Sequence, residues 1–272
     1  MNYSVLMSVY HKEKPLFLKS AMDSIWNQTV KTDDFVLVCD GPLTDQLNEV
    51  ISQMQVEHKD ELKVLRLEKN NGLGIALNYG LKQCKNELVA RMDSDDISFP
   101  DRCEKQLNVF KHNKDISIVS GTIAEFENSI DTVIAERRLP EKNDEIVSFA
   151  RKRTPFNHPC TMYKKKAVED AGGYQDFYLL EDYYLWIRML CNGEKGYNIQ
   201  EPILWMRTGA GMYKRRSGLK YVKSQLRLFR YMRKRGFISR AQLVESTILR
   251  TIGSLIPTRI RKKGYQLFLR SN

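Results

Sequence analysis

Asp93-Ser94-Asp95-Asp96 places three carboxylates in four residues, directly after the apolar run Leu88-Val89-Ala90 and the pair Arg91-Met92. Oxygen ligands at this density can hold a hard divalent cation, Mg²⁺ or Mn²⁺, and fix it against a bound phosphate. In an α/β protein the carboxyl ends of the strands open onto the ligand crevice, so a strand running into the cluster would deliver it there. The competing reading is a charged turn that ends at Pro100. Two more groups carry related chemistry. Ser8-Val9-Tyr10 closes one apolar run, and Asp40-Gly41-Pro42 follows another, Phe35-Val36-Leu37-Val38-Cys39. A base fits between them: Tyr10 can stack on a planar ring, and the Asp40 carboxylate can accept from an imino N–H, which uracil has and cytosine lacks. Asp40 is equally at home as a turn residue before Gly-Pro. Asn71-Gly72-Leu73-Gly74 lacks the third glycine of a dinucleotide fingerprint and reads as a phosphate-facing or capping loop.

The elements that must position these residues alternate. Apolar runs at Val5–Tyr10, Phe35–Cys39, Leu62–Leu67 and Leu88–Met92 predict four strands. Between them Leu18, Ala21, Met22, Ile25 and Trp26, then Leu47, Val50, Ile51 and Met54, then Leu73, Ala76, Leu77, Gly80 and Leu81 repeat with the period of a helix face. This alternation is the signature of a largely parallel sheet covered by helices. A helix from about Pro100 to His112 and a strand at Ile116–Ser120 follow, and beyond Gly121 the regularity weakens into a mixed region up to about Met206. The expected organisation is one α/β body over 1–210, in two parts at 1–120 and 121–210, then a tail over 211–272.

With 272 residues the chain has ample material for one large core. No run of 18 apolar residues and no leader pattern is present, so export and membrane spanning are not expected. Five scattered cysteines without a CxxC pair suit a reducing cytosol and give no structural zinc site. The formal charge of +11 is unevenly spread: residues 210–272 hold 17 Lys or Arg and one acid, Glu245, whereas 1–209 hold 27 basic and 32 acidic side chains. An acidic body with a basic end points to one localised contact with an anionic surface. In that end Leu219, Val222, Leu226, Phe229 and Met232 form an apolar helical stripe flanked by Lys220, Lys223, Arg227, Arg230, Arg233 and Lys234, and Ile248, Leu249, Ile252, Leu255 and Ile256 form a second. These stripes can pack on the body or enter a headgroup region, where each basic residue contributes roughly 1 kcal/mol within a Debye length of about 8 Å. A nucleic-acid partner is not expected, because the body offers no matching motif or basic strip.

The ordered set Ser8-Val9-Tyr10, Ser24-Ile25-Trp26-Asn27-Gln28-Thr29, Asp40-Gly41, Asn71 to Asn78, Ala90 to Asp96 and Leu180-Glu181-Asp182-Tyr183 resembles the inverting family 2 glycosyltransferases of the GT-A fold. Within them it is most similar to bacterial capsule, exopolysaccharide and O-antigen enzymes of the amylovoran-synthesis type, including the pattern Tyr213-Lys214-Arg215-Arg216-Ser217-Gly218. The resemblance implies a UDP-sugar donor, Mn²⁺ or Mg²⁺, a polyprenyl-diphosphate-linked saccharide acceptor, and a cytoplasmic enzyme held at the inner face of the plasma membrane. Asp95 would be the direct metal ligand, with Asp93 beside it, nearer the ribose or a metal-bound water. The implied donor-binding set is Ser8, Tyr10, Glu13, Asp40, Asn71, Gly74, Arg91, Asp93, His158, Arg207 and Arg215.

The incoming hydroxyl must lose its proton as it attacks the anomeric carbon, so a carboxylate base is required. Asp182, with Glu181 in support, stands where the family places that base; its other reading is a helix cap. His158, in Phe156-Asn157-His158-Pro159, is either a hydrogen-bonded structural residue or part of the diphosphate and acceptor region. The histidines are His11, His58, His112 and His158, so none follows Asp182 as the late metal ligand of some GT-A enzymes. Arg207, Arg215 or Arg216 would neutralise diphosphate instead, unless they belong to the charge of the tail. The alternative to an enzyme is a non-catalytic nucleotide-sugar or membrane-surface binding protein of the same fold.

Overall fold

The structure, a computed structural model, describes residues 1–209 and 218–255. Strands β1 (Tyr3–Val9), β2 (Asp34–Cys39), β3 (Leu62–Arg66) and β4 (Leu88–Asp93) are mutually parallel and lie in the order β3-β2-β1-β4. The runs of β1, β2 and β4 are buried almost throughout because helices cover both faces of the sheet there, whereas β3 is a half-exposed edge strand. Val5, Met7 and Val9 point to one face with α1 (Pro15–Trp26), α2 (Asp45–Glu57) and, further along, α4 (Arg102–His112). Leu6, Val36 and Val38 point to the other, with α3 (Leu73–Gln83). Of the periodic residues expected on α1, Leu18, Ala21, Met22 and Ile25 are fully buried and Trp26 is partly buried. Each large side chain removed from water in this way contributes about 1.5–3 kcal/mol.

The second half extends the sheet with mixed polarity. β5 (Ile97–Ser98) follows the acidic cluster, and β6 (Ile116–Phe126) runs well beyond Gly121. Regularity is lost in the sequence there because all eleven residues of β6 are buried, so no alternation marks it. A Cβ on Gly121 would sit 2.5 Å from Ile203 Cδ1, so a glycine is needed where β6 meets β9 (Lys195–Arg207). β7 (Val133–Arg137) pairs antiparallel with β6. β8 (Met162–Lys164) lies antiparallel between β4 and β6, while β9 is parallel to β6 and carries β5 on its far edge. Helices α5 (Asn143–Ala150), α6 (Lys165–Asp170) and α7 (Glu181–Cys191) complete this half.

Beyond residue 217, α8 (Leu219–Lys234) and α9 (Arg240–Leu255) form a helical pair. Leu228, Phe229 and Met232 pack with Phe177, Leu180, Tyr183 and Ile187 in a third core. Of the expected apolar stripe of α8, Val222, Phe229 and Met232 are buried and Leu226 is half-buried, while Leu219 is 73% exposed because it lies in the opening turn, outside that contact. On α9, Val244, Ile248 and Leu249 face outward. No helix among the described residues is long and apolar enough to cross a membrane.

Candidate active site

Register brings the separated motifs to one end of the sheet. Ser8 on β1 lies opposite Asp93 on β4, and Val9 lies opposite Cys39, so Tyr10 and Asp40 leave neighbouring strands side by side. Tyr10 is exposed, as a stacking platform requires. Asp40 is buried, and its two carboxylate oxygens accept from the backbone amides of Asn71 (2.8 Å) and Gly72 (3.0 Å). The side chain read as a turn residue thus clasps the loop before α3. Gly41 makes the clasp possible: it holds φ +89°, and a Cβ there would lie 2.6 Å from Asn70 N.

The acidic cluster sits at the end of β4. Carboxylate oxygens of Asp93, Asp95 and Asp96 lie within 4.8 Å of one another. Asp93 Oδ1 accepts from Arg91 Nη2 at 2.5 Å, and Ser94 Oγ donates to Glu13 Oε2 at 2.7 Å. Asp96 is buried and accepts from the Arg207 amide at 2.8 Å, while Arg207 Nε donates to Asp95 O at 3.1 Å. The Arg207 guanidinium lies between the rings of Phe17 (3.7 Å) and Phe126 (4.6 Å). Burial, then repulsion from Asp93 and Glu13, pushes the Asp95 carboxyl up to about 7. Burial and the other two aspartates push Asp96 well above the carboxylate range. So much negative charge beside one buried arginine, through all-oxygen donors, fits Mg²⁺ or Mn²⁺. Asp93 and Asp95 are the half-buried, presenting members, and Asp96 backs them.

Arg91 links this cluster to the other half. It is 1% exposed, its Nε and Nη1 have no protein partner, and its charge is felt by Glu181, Tyr174 and His158. Glu181 and Asp182 occupy the first turn of α7, whose N-cap position is Leu180. Asp182 Oδ1 accepts from Tyr183 N at 2.6 Å, so it steadies a first-turn amide. Glu181 is pushed up to about 7 by burial and then by Asp182. Gly74, from the loop clasped by Asp40, would bring a Cβ within 3.7 Å of Glu181 Cβ. The openings of α3 and α7 thus meet. His158 is buried and neutral, its pKa driven well below normal by desolvation and Arg91, and its Nε2 lies 3.0 Å from Tyr174 OH. Arg215 and Arg216 lie outside the described residues.

Several residues hold supporting positions that the sequence reading did not assign. Asn78 Nδ2 donates to Tyr174 O at 2.5 Å, and its Oδ1 accepts from Tyr174 N at 2.7 Å. Arg102 Nη2 donates to Arg91 O at 2.6 Å, and Gln106 Nε2 bonds Val119 O and Cys160 O. A signal existed for this last pair: Arg102 and Gln106, four apart, interrupt the apolar face of Cys103, Leu107 and Phe110, as buried polar groups with partners do.

A mixed α/β sheet with an exposed tyrosine and an acidic turn at its strand ends, and a carboxylate pair in the first turn of a helix beside them, is the architecture of a GT-A glycosyltransferase. The chain belongs to glycosyl transferase family 2, whose model matches residues 4–172. It is 38% identical to the UDP-Gal:alpha-D-GlcNAc-diphosphoundecaprenol beta-1,3-galactosyltransferase of Escherichia coli, over 98% of this chain and 96% of that protein. It is 37% identical to the amylovoran biosynthesis glycosyltransferase AmsE of Erwinia amylovora, over 97% and 98% respectively. The crystal structure of S. aureus TarS 1–349 in complex with UDP-GlcNAc shares the fold, with a TM-score of 0.71 at 17% identity over 99% of this chain and 76% of that one.

Proposed function

We propose that this glycosyltransferase moves a hexose or N-acetylhexosamine from a UDP-sugar to a polyprenyl-diphosphate-linked saccharide, with inversion to a β-linkage, in bacterial surface polysaccharide synthesis. The E. coli relative, named for UDP-Gal and a diphosphoundecaprenol-linked sugar, supports both substrate classes. Tyr10 stacks on the uracil, and Asp40 offers its remaining lone pairs to the base edge while holding the Asn71–Gly72 loop. Ser8, Glu13 and Asn71 line the donor side. Asp93 and Asp95 would hold Mg²⁺ or Mn²⁺, which when bound stabilises negative charge on the leaving diphosphate as a Lewis acid. Arg91 and Arg207 add fixed positive charge to the same oxygens. Asp182 takes the proton of the acceptor hydroxyl, and Glu181 tunes its field. His158, through Tyr174, keeps the floor beneath Arg91 in place.

One observation carries the reading: Gly74, from the loop that Asp40 clasps, packs against Glu181 at the opening of α7, which brings the two distant segments together. At the membrane, contact is proposed through α9, which turns Val244, Ile248 and Leu249 outward within the basic end of the chain. The test is a screen of UDP-sugars for transfer to synthetic lipid-diphosphate-linked sugars, with the anomeric configuration of the product read by NMR. An α-linked product would overturn inversion, and full activity in excess chelator would overturn the metal.

A further inference from the structure

A cavity of about 280 Å³ opens between α8 and residues 176–178, lined by Lys220, Lys223, Ser224 and Arg227 on one side and Asp176 and Tyr178 on the other. The four α8 residues fall at i, i+3, i+4 and i+7, which is one helical face. A neighbouring face of the same helix is locked into the third core by Leu228, Phe229 and Met232, so these heads are held relative to the active site. Three cations oppose one carboxylate, and none of the three makes an ion pair among the described residues. Lys220 Nζ lies 4.1 Å from the Tyr178 ring centroid, and Arg227 Cζ lies 4.5 Å from that of Phe177. Those rings orient the charges without neutralising them. Ser224 Oγ donates to Tyr178 O at 2.8 Å, fastening the helix to the segment.

The segment leads straight to the catalytic carboxylates. Tyr178 precedes Asp182 by four residues, so their Cα atoms are at most about 15 Å apart. Between them Leu179 holds φ +57°, the one non-glycine residue at positive φ among the described residues. Such a conformation persists where its surroundings enforce it, and it gathers at ligand sites.

We propose that this cavity binds the diphosphate of the acceptor, an inference that rests on the lipid-linked acceptor proposed above. The planar fork of Arg227 and the two ammonium groups suit a diphosphate diester, whose oxygens diverge. The attached sugar extends toward Asp182, and the lipid leaves past Leu219, the exposed apolar neighbour of Lys220.

The test uses the full chain, saturated with UDP, and calorimetric titration with a short prenyl diphosphate that carries no sugar. The triple variant Lys220→Gln, Lys223→Gln, Arg227→Gln should bind it roughly ten- to a hundredfold more weakly, as expected for lost charge-assisted contacts. Its KM for the diphosphate-linked acceptor should rise in step, while UDP affinity and KM for the same sugar on a neutral alkyl chain stay unchanged. Lys223→Gln alone, a single change on the exposed helix face, should show part of the effect in a chain that folds as wild type. Unchanged prenyl diphosphate affinity overturns the proposal, and so does an equal loss of UDP affinity. Loss of binding to phosphatidylglycerol vesicles with prenyl diphosphate affinity retained would assign the cations to headgroups and also overturn it. A wild-type chain that binds prenyl diphosphate through these residues but transfers no sugar keeps the cavity's assignment and overturns the reaction instead.

Discussion

Arg207 donates its backbone amide to the buried Asp96 carboxylate, so the last residue of β9 anchors the turn that carries Asp93 and Asp95. Asp96 thereby gains a role that position alone left open: it supports the turn. Asp96→Asn keeps the accepting oxygen and removes a charge, and should leave stability within about 1 kcal/mol. Asp96→Ala strands the amide and should cost about 1–3 kcal/mol, read as a lower denaturation midpoint.

Asp182→Asn should lower the transfer rate by about 10²–10⁴-fold while UDP affinity is preserved. Single-turnover kinetics beside UDP titration will separate the two, and undiminished transfer would remove Asp182 from its role.

Glu181 supplies a pH test. Its folded pKa, about 7, exceeds the ordinary 4.5, so the folded state holds the proton more tightly than the unfolded chain. Its contribution to stability is therefore greatest below the ordinary value, falls as pH rises from about 4.5 to about 7, and stays low above that. Glu181→Gln should flatten the decline in Tm across this window and raise Tm at pH 8 relative to wild type.

Gly41→Ala combines a left-handed backbone with a Cβ at 2.6 Å from Asn70 N. It should cost about 1–3 kcal/mol and loosen the Asp40 clasp, weakening UDP binding along with stability. Asp40→Asn should weaken UDP binding with a smaller stability change, because one loop amide keeps its acceptor.

The sequence reading located the parallel half of the sheet well, because β1 to β4 and α1 to α3 announce themselves by switching between continuous runs and helical period. It also singled out Asp93, Asp95 and Asp96, whose carboxylate oxygens the structure gathers within 4.8 Å of one another. What it could not reach were relations between distant segments. Nothing local says that Asn78 brackets Tyr174 or that Gly74 abuts Glu181; those pairs are 96 and 107 positions apart and are set by how α3 and α7 share one face of the sheet. The apolar stripe of α8 posed a different problem. Protein and lipid ask for the same pattern, and only the third core shows which one covers it.

That third core decides what can be cut away. Phe229 and Met232 are almost fully buried against the helix that begins with Glu181 and Asp182. Phe229→Ala should cost about 3–5 kcal/mol, as for a core ring, and Tm will show it. The basic end of the chain is thus not a detachable anchor appended to a self-sufficient enzyme. Trimming it at residue 210 would leave a sticky fragment with that core exposed, and trimming after α8 would still strip Phe237, Ile238 and Leu243 from it.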